Sequence, residues 1–220
     1  MDLELTQERS AESSHYEEEL VRAIQGGELD KYAIVIQRYQ QRLYVYCYHL
    51  LMHREEAEDA VQDIFIKGYE KLLQYTYSQS FSAWLYKIAY YHCLNLLKKR
   101  HRTVWVERLL GPLRQNSEDD GYATVRRREV RLQSALALQR LTAEERSLLV
   151  LKVIEGRSYN EIEQYFDYSR VALRKKVERA KMKLKRIWSE LDEEGYVNEG
   201  KERVERSAES DFIRRAVASD

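Results

Sequence analysis

Between positions 75 and 102, aromatic side chains alternate with cationic and polar ones. Tyr75, Tyr77, Phe81, Trp84, Tyr86, Lys87, Tyr90 and Tyr91 lead into the basic run Lys98-Lys99-Arg100-His101-Arg102. An aromatic face beside a cation suits an unstacked nucleobase, at roughly 1–3 kcal/mol for each base stacked. Phe81, Trp84 and Ile88 fall at helical core spacing, which favours packing for them. The exposed candidates for stacking are then Tyr75 and Tyr77, in a polar loop that also holds Ser78, Gln79 and Ser80.

A second constellation lies near the C-terminal end. Residues 170–186 carry nine bases and one acid. Two capping boxes precede them, Thr142-x-x-Glu145 and Ser158-x-x-Glu161, each pairing a hydroxyl acceptor with a glutamate that reaches back to the cap amide. Gly156 is placed to end the first of these helices. The second runs only from Tyr159 to about Phe166, and a tight turn through Asp167 and Tyr168 reaches Ser169, a good cap for the next. In that last helix Leu173, Val177, Ala180 and Leu184 point one way, while Arg170, Arg174 and Lys175 project elsewhere, near its start. A short helix, a turn and a second helix with basic residues at its N-terminus is the geometry that enters a DNA major groove. Arginine is the commonest reader of guanine, and flanking lysines neutralise phosphate. The competing reading is an ordinary helical hairpin with a solvated basic face; the capping, the short first helix and the charge density together favour DNA.

Enzymatic chemistry finds no foothold. The sequence holds no phosphate-cradling glycine loop, no HExxH and no Ser/His/Asp spacing worth pursuing. Cys47 near His49 and Cys93 beside His92 are two isolated pairs without a CxxC, so they read as core thiols rather than a disulfide or metal framework, and no cofactor is expected.

The elements that must position these groups are helical. One proline and eight glycines in 220 residues, with abundant Leu, Glu, Lys, Arg and Tyr, argue against a sandwich or barrel. A first helix breaks at Gly26-Gly27, and a second, rich in tyrosine, begins near Asp30. A third puts Ala57, Ala60, Val61, Ile64, Phe65 and Leu72 at core spacing, opposite the acidic Glu55, Glu58, Asp59, Asp63 and Glu70. A fourth starts near Phe81. Periodicity lapses over 103–125, which contains Gly111-Pro112 and the polar stretch 115–121, and it resumes near Arg126.

The 37 bases and 37 acids cancel overall but not locally: residues 1–20 carry a net −6 and residues 187–220 a net −5, leaving +11 between them. A basic body with acidic ends suggests a polyanionic partner, with solubilising tails as the alternative. No apolar run approaches the ~18–20 residues that cross a bilayer, so no membrane insertion is expected and the chain reads as a soluble, cytoplasmic protein.

With both halves in view, the chain resembles the extracytoplasmic-function (ECF) group of sigma factors, the promoter-recognition subunits of bacterial RNA polymerase. The resemblance rests on Ala57-Glu58-Asp59-Ala60-Val61-Gln62-Asp63-Ile64-Phe65 followed by Phe81-x-x-Trp84-Leu85-x-x-Ile88-Ala89, and on Leu141, Arg146, Glu161-Ile162 and Arg179-Ala180 within 136–186. It implies an all-α fold of two small helical domains joined by a flexible linker. The divisions would be an acidic arm (1–16), sigma domain two (17–102), a linker (103–127), a helix-turn-helix sigma domain four (128–188) and a charged tail (189–220). Core RNA polymerase and promoter DNA are the implied partners, with an anti-sigma protein as a possible third.

By the same resemblance, Asp59, Gln62, Asp63 and Phe65 would dock on polymerase. The loop of Tyr75, Tyr77, Ser78, Gln79 and Ser80 would capture a flipped base of the minus-ten element. Lys98, Lys99, Arg100 and Arg102 would hold duplex phosphates upstream. Ser169, Arg170, Arg174, Lys175 and Arg179 would read the minus-thirty-five element, and the linker would thread towards the RNA exit channel. The sequence departs from the family pattern at Val171-Ala172, where Gly-Thr is common, at Tyr91, where asparagine is frequent, and at Asn95, where aspartate is frequent. A helix-turn-helix regulator acting without polymerase is the alternative, but it leaves the acidic helix and the aromatic loop without a purpose.

Overall fold

The computed structural model describes residues 15–110 and 136–191, with side chains over 15–100 and 136–191. Most of the acidic arm and the tail, the linker beyond Leu110 and the start of the second domain lie outside these residues. All regular structure among them is helical.

Helix α1 spans 15–25 and ends at Gly26-Gly27, where Gly27 takes φ +108°, a left-handed conformation that favours glycine. A 3₁₀ turn (Leu29–Lys31) leads into α2 (Tyr32–Leu51). Met52, itself left-handed at φ 54°, turns the chain into α3 (Arg54–Lys71), capped by the His53 ring accepting from the Glu56 amide at 3.3 Å. A second 3₁₀ turn (Leu72–Gln74) and the loop 75–80 precede α4 (Phe81–Leu110). Helix α4 therefore runs through the first eight residues of the expected linker (103–127): Gly111-Pro112 is the first helix-breaking pair after the basic run, and no stop precedes it. Tyr39, Leu43 and Leu50 of α2, Ala57 and Ile64 of α3, and Leu85, Ala89 and Cys93 of α4 form the core of this lobe.

The described part of the second lobe opens with a helical segment at 136–139. Helix α5 (Ala143–Leu149) continues as π-helix over Val150–Ile154, then α6 (Tyr159–Tyr165), a turn, and α7 (Arg170–Leu191). Both capping boxes form, and Gly156 sits at φ +66° between them. Replacing Ser158 with alanine removes the acceptor of the Glu161 amide (3.2 Å) and is expected to cost about 1 kcal/mol in a urea melt.

Acid acts on the same groups. Burial pushes the Glu161 carboxyl up, but hydrogen bonds from the Ser158 amide and hydroxyl and from Arg157 outweigh it and leave it below its ordinary range. At Glu145 burial is likewise outweighed, by Lys183 and the Thr142 amide. Depressed carboxyls contribute stability above their unfolded pKa and release it as pH falls through the folded value. Glu155, pushed up by burial, works in the opposite sense. The stability that the Glu161 and Glu145 carboxylates contribute is therefore expected to fade between about pH 5 and about pH 3, and Glu161→Gln to flatten the fall in melting temperature over that range relative to the wild type.

The lobes are not held apart. Helix α5 lies against α2, and α6 lies across α4. Tyr46 and Ser147 share a hydrogen bond of 2.5 Å, Ser82 and Tyr165 one of 3.1 Å, and the Tyr86 hydroxyl donates to Glu155 at 2.5 Å. The Tyr86 and Tyr165 rings meet edge to face, as do Tyr90 and Phe166. Arg146 spans the junction: one terminal nitrogen donates to the Leu138 and Leu141 carbonyls (3.0 and 2.9 Å), the other to Leu50 O in the last turn of α2 (2.9 Å). A cation suits that position, where the helix macrodipole ends negative.

Candidate nucleic-acid interface

Helices α6 and α7 cross as a helix-turn-helix because each has its own start signal. Ser158 caps α6, and Ser169 Oγ accepts from the Ala172 amide at the start of α7 (3.4 Å). Leu173, Val177, Ala180 and Leu184 bury one face of α7 and thereby turn Arg174, Lys175 and Arg179 to solvent. The Arg174 guanidinium stands 5.6 Å from the centre of the Tyr159 ring, a cation–π contact that leaves its N–H donors unspent. Arg170 is placed differently. It folds back on α6, donating to Asn160 Oδ1 at 3.0 Å and lying 3.4 Å from Glu163, so in this arrangement it braces the two helices rather than reaching outward. Lys176 and Lys183 are likewise engaged, on Glu144 and Glu145 at 2.7 Å each.

In the first lobe, Asp59, Gln62 and Asp63 are exposed along α3, as an outward docking face requires. Phe65 is not part of that face. It is 6% exposed, at the core spacing of Ala57, Ala60, Val61 and Ile64, and its carbonyl accepts from Tyr32 (2.7 Å). Its expected contact with polymerase is therefore corrected to a core role. Ile66, 57% exposed, carries the outward stripe of Gln62 and Asp63 onward instead.

The loop 75–80 also divides. Tyr75, expected to be exposed, is 4% exposed and packs among Phe81, Trp84 and Tyr77, while its hydroxyl donates to Gln79 O at 2.7 Å. Its ring closes the base of the loop and is not available for stacking. Tyr77 keeps 37% of its surface exposed, and Thr76 and Ser78 are exposed on either side. Gln79 and Ser80 are half-buried, and the Ser80 amide donates to Gln164 of α6 at 3.1 Å.

Of the basic run, Lys98 and Lys99 are exposed. Arg100 instead donates to Leu51 O at 3.1 Å and pairs with Glu56 at the start of α3, which ties α4 to the α2–α3 corner. The Arg102 side chain lies outside the described residues. Replacing Lys98 and Lys99 together with alanine should lower the log–log salt slope of DNA binding by about 2 without changing sequence preference. Arg100→Ala should instead show mainly as a lower melting temperature.

A basic groove also forms that no single sequence motif marks. Lys67 and Lys71 of α3 face Trp84, Lys87, Tyr91 and Asn95 of α4 across a cleft of about 370 Å³. The signal was present as i, i+4 pairs on two successive helices, but only the tertiary pairing of α3 with α4 brings them together. At its floor His92 is held below its ordinary pKa by burial and then by Lys67, which hydrogen-bonds its Nδ1; Asp63 lies 3.5 Å from Nε2. The ring is therefore neutral at pH 7, and Lys67 donates to it.

Comparison with known proteins agrees with this division into two lobes. Residues 35–103 match sigma-70 region 2, and residues 132–184 match sigma-70 region 4. SigW of Bacillus subtilis, an ECF RNA polymerase sigma factor, is 30% identical over 80 residues that span 36% of this chain and 43% of SigW. YlaC of the same organism, an RNA polymerase sigma factor, is 25% identical over 159 residues, 71% of this chain and 91% of YlaC. Among solved structures, CnrH in complex with the cytosolic domain of CnrY superposes with a TM-score of 0.61 at 20% identity, covering 79% of this chain and 97% of that one. RpoE in complex with the anti-sigma factor NepR, from Bartonella quintana, gives 0.54 at 19% identity, covering 71% and 96%. At these identities the structural likeness speaks for the fold.

Proposed function

Because this chain belongs to the sigma-70 family, in its ECF group, we propose that it joins core RNA polymerase in the cytoplasm and directs it to promoters with a minus-thirty-five and a minus-ten element. The observation that carries this reading is that one chain presents both reading surfaces. Arg174, Lys175 and Arg179 stand exposed on the second helix of a helix-turn-helix, and Tyr77, Thr76 and Ser78 stand exposed on a loop beside the basic α3–α4 groove.

The upstream element is read as intact duplex, with α7 in the major groove and Arg174 placed for a bidentate contact with guanine. The minus-ten element is read as a single strand, with a base lifted out against Tyr77 while lysines of the groove hold its phosphates. The exposed stripe of Asp59, Gln62, Asp63 and Ile66 docks on polymerase. An anti-sigma protein is a further partner on this reading, by analogy with RpoE, which was solved in complex with the anti-sigma factor NepR. A helix-turn-helix regulator independent of polymerase is less favoured, because the region 2 match at 35–103 covers the lobe that such a regulator would not need.

The test is reconstituted transcription on a genomic DNA pool with start-site mapping. Discrete start sites that appear only when the chain is added to core polymerase support the reading; failure of the chain to co-purify with core polymerase overturns it. Within that assay, Arg174→Ala is expected to cost about 1–3 kcal/mol of discrimination at one upstream position. Unchanged preference there would remove Arg174 from the reading role.

A further inference from the structure

Helix α1 precedes the region 2 match, which begins at residue 35, and neither the sequence motifs nor that match gives it a part in DNA recognition. Its last residue, however, reaches into the loop 75–80. Gln25 Nε2 donates to the carbonyls of Leu72 (2.8 Å) and Tyr75 (3.2 Å), and Gln25 Oε1 accepts from the Tyr77 hydroxyl (2.7 Å). One turn earlier, the Arg22 guanidinium covers a face of the Tyr77 ring at 4.9 Å. Both donors and one acceptor position of a single amide are thus spent on a segment about fifty residues away, and they link the loop's entry to its exposed aromatic residue.

We propose that Gln25, seconded by Arg22, is a positioning residue for base capture: α1 sets the orientation in which Tyr77 meets the unpaired base of the minus-ten element. The inference rests on the single-strand reading of this loop given above. The loop's other anchors lie at its two ends, where the Tyr75 ring also meets the Tyr77 ring edge to face at 5.0 Å and Ser80 Oγ accepts from the Ala83 amide at 3.2 Å. Tyr75 ties its base, and the Ser80 amide bonds to Gln164 of the other lobe. Between them Thr76, Tyr77 and Ser78 are exposed, and Tyr77 is fixed at its hydroxyl by Gln25 and at one ring face by Arg22. A ring clamped in this way does not lose rotamer freedom when a base stacks on it, so the ordering cost of capture is met during folding. Gly26-Gly27 follows at once and frees the chain to turn away, which leaves the Gln25 side chain at the helix end where it spans to the loop.

The full chain in holoenzyme is assayed with promoter fragments carrying a fluorescent base analogue in the minus-ten element, and with a panel of all four bases at each position of that element. Gln25→Ala is expected to reduce opening about tenfold and to flatten the preference at one minus-ten position, with polymerase association and upstream preference retained. Tyr77→Phe removes only the hydroxyl that Gln25 accepts and is expected to shift the same preference by a smaller factor. Added to Gln25→Ala, it should change nothing further, because the two act through one contact. Additive effects of the two variants, or wild-type preference in Gln25→Ala, would overturn the proposal. Absence of any base preference in the wild-type holoenzyme would overturn the capture reading itself, and the role of Gln25 with it.

Discussion

Mixed with promoter DNA in the absence of polymerase, the purified chain is expected to leave the duplex closed. Unstacking costs on average about 1.4 kcal/mol per step, so a bubble of about a dozen steps costs on the order of 17 kcal/mol. One base captured at roughly 1–3 kcal/mol cannot offset that. The remainder must come from contacts that polymerase supplies once the chain is docked. Permanganate footprinting of thymines in the minus-ten region tests this: reactivity should appear with core polymerase present and be absent without it. Footprints from the isolated chain would mean that this lobe melts DNA unaided.

The largest expected effect on stability is at Arg146. Truncation to alanine leaves the carbonyls of Leu50, Leu138 and Leu141 without the donor they share, inside a junction that also buries Ser147 and Leu148. Each lost bond to a charged donor costs about 1.5 kcal/mol or more, so the total is expected to reach about 3–5 kcal/mol. Because Leu50 belongs to the first lobe and the other two carbonyls to the second, the variant should also weaken the coupling between lobes. Urea unfolding is expected to shift to a lower midpoint and to separate into two transitions. Arg146→Lys keeps the charge but not the planar fork and should fall between the two. A wild-type midpoint in Arg146→Ala would show that the junction does not depend on this side chain.

What the sequence made legible was local. Both capping boxes, the turn at Gly156, the break at Gly26-Gly27 and the inward stripe of α7 follow from spacing of 2 to 11 residues, and the structure forms them where expected. Asp59, Gln62 and Asp63 face outward for the same reason: the apolar period of α3 fixes which side is left over.

Contacts between helices are not legible in the same way. The sequence neighbours of Phe65 and Tyr75 suggest exposed roles, whereas packing between helices buries both. Arg100 and Arg170 counted as free cations, and each is committed to a carboxylate that only the tertiary fold brings near: Glu56 from the start of α3, and Glu163 from α6. The union of the lobes was hidden most deeply, because Tyr46–Ser147 and Arg146–Leu50 join positions about a hundred residues apart. One trace of it was visible. Leu148-Leu149-Val150-Leu151 is apolar on every side of its helix, and a helix of that kind has neighbours all round. Those neighbours are α2 on one side and α7 on the other.

The bond between Ser80 and Gln164 sets a yardstick. Five residues from Gln164 to Ser169 can stretch no further than about 18 Å, and the Gln164 side chain with its hydrogen bond adds roughly 10 Å, so the end of the loop stands within about 28 Å of the start of α7. The elements that the promoter reading assigns to this loop and helix lie roughly 25 base pairs apart, on the order of 85 Å along a straight duplex at 3.4 Å per pair. One molecule in this posture can therefore touch either element but not both. On the promoter reading proposed above, reaching both elements at once means parting the lobes and losing the tyrosine and arginine contacts between them, so the clasped arrangement is not the one that spans a promoter.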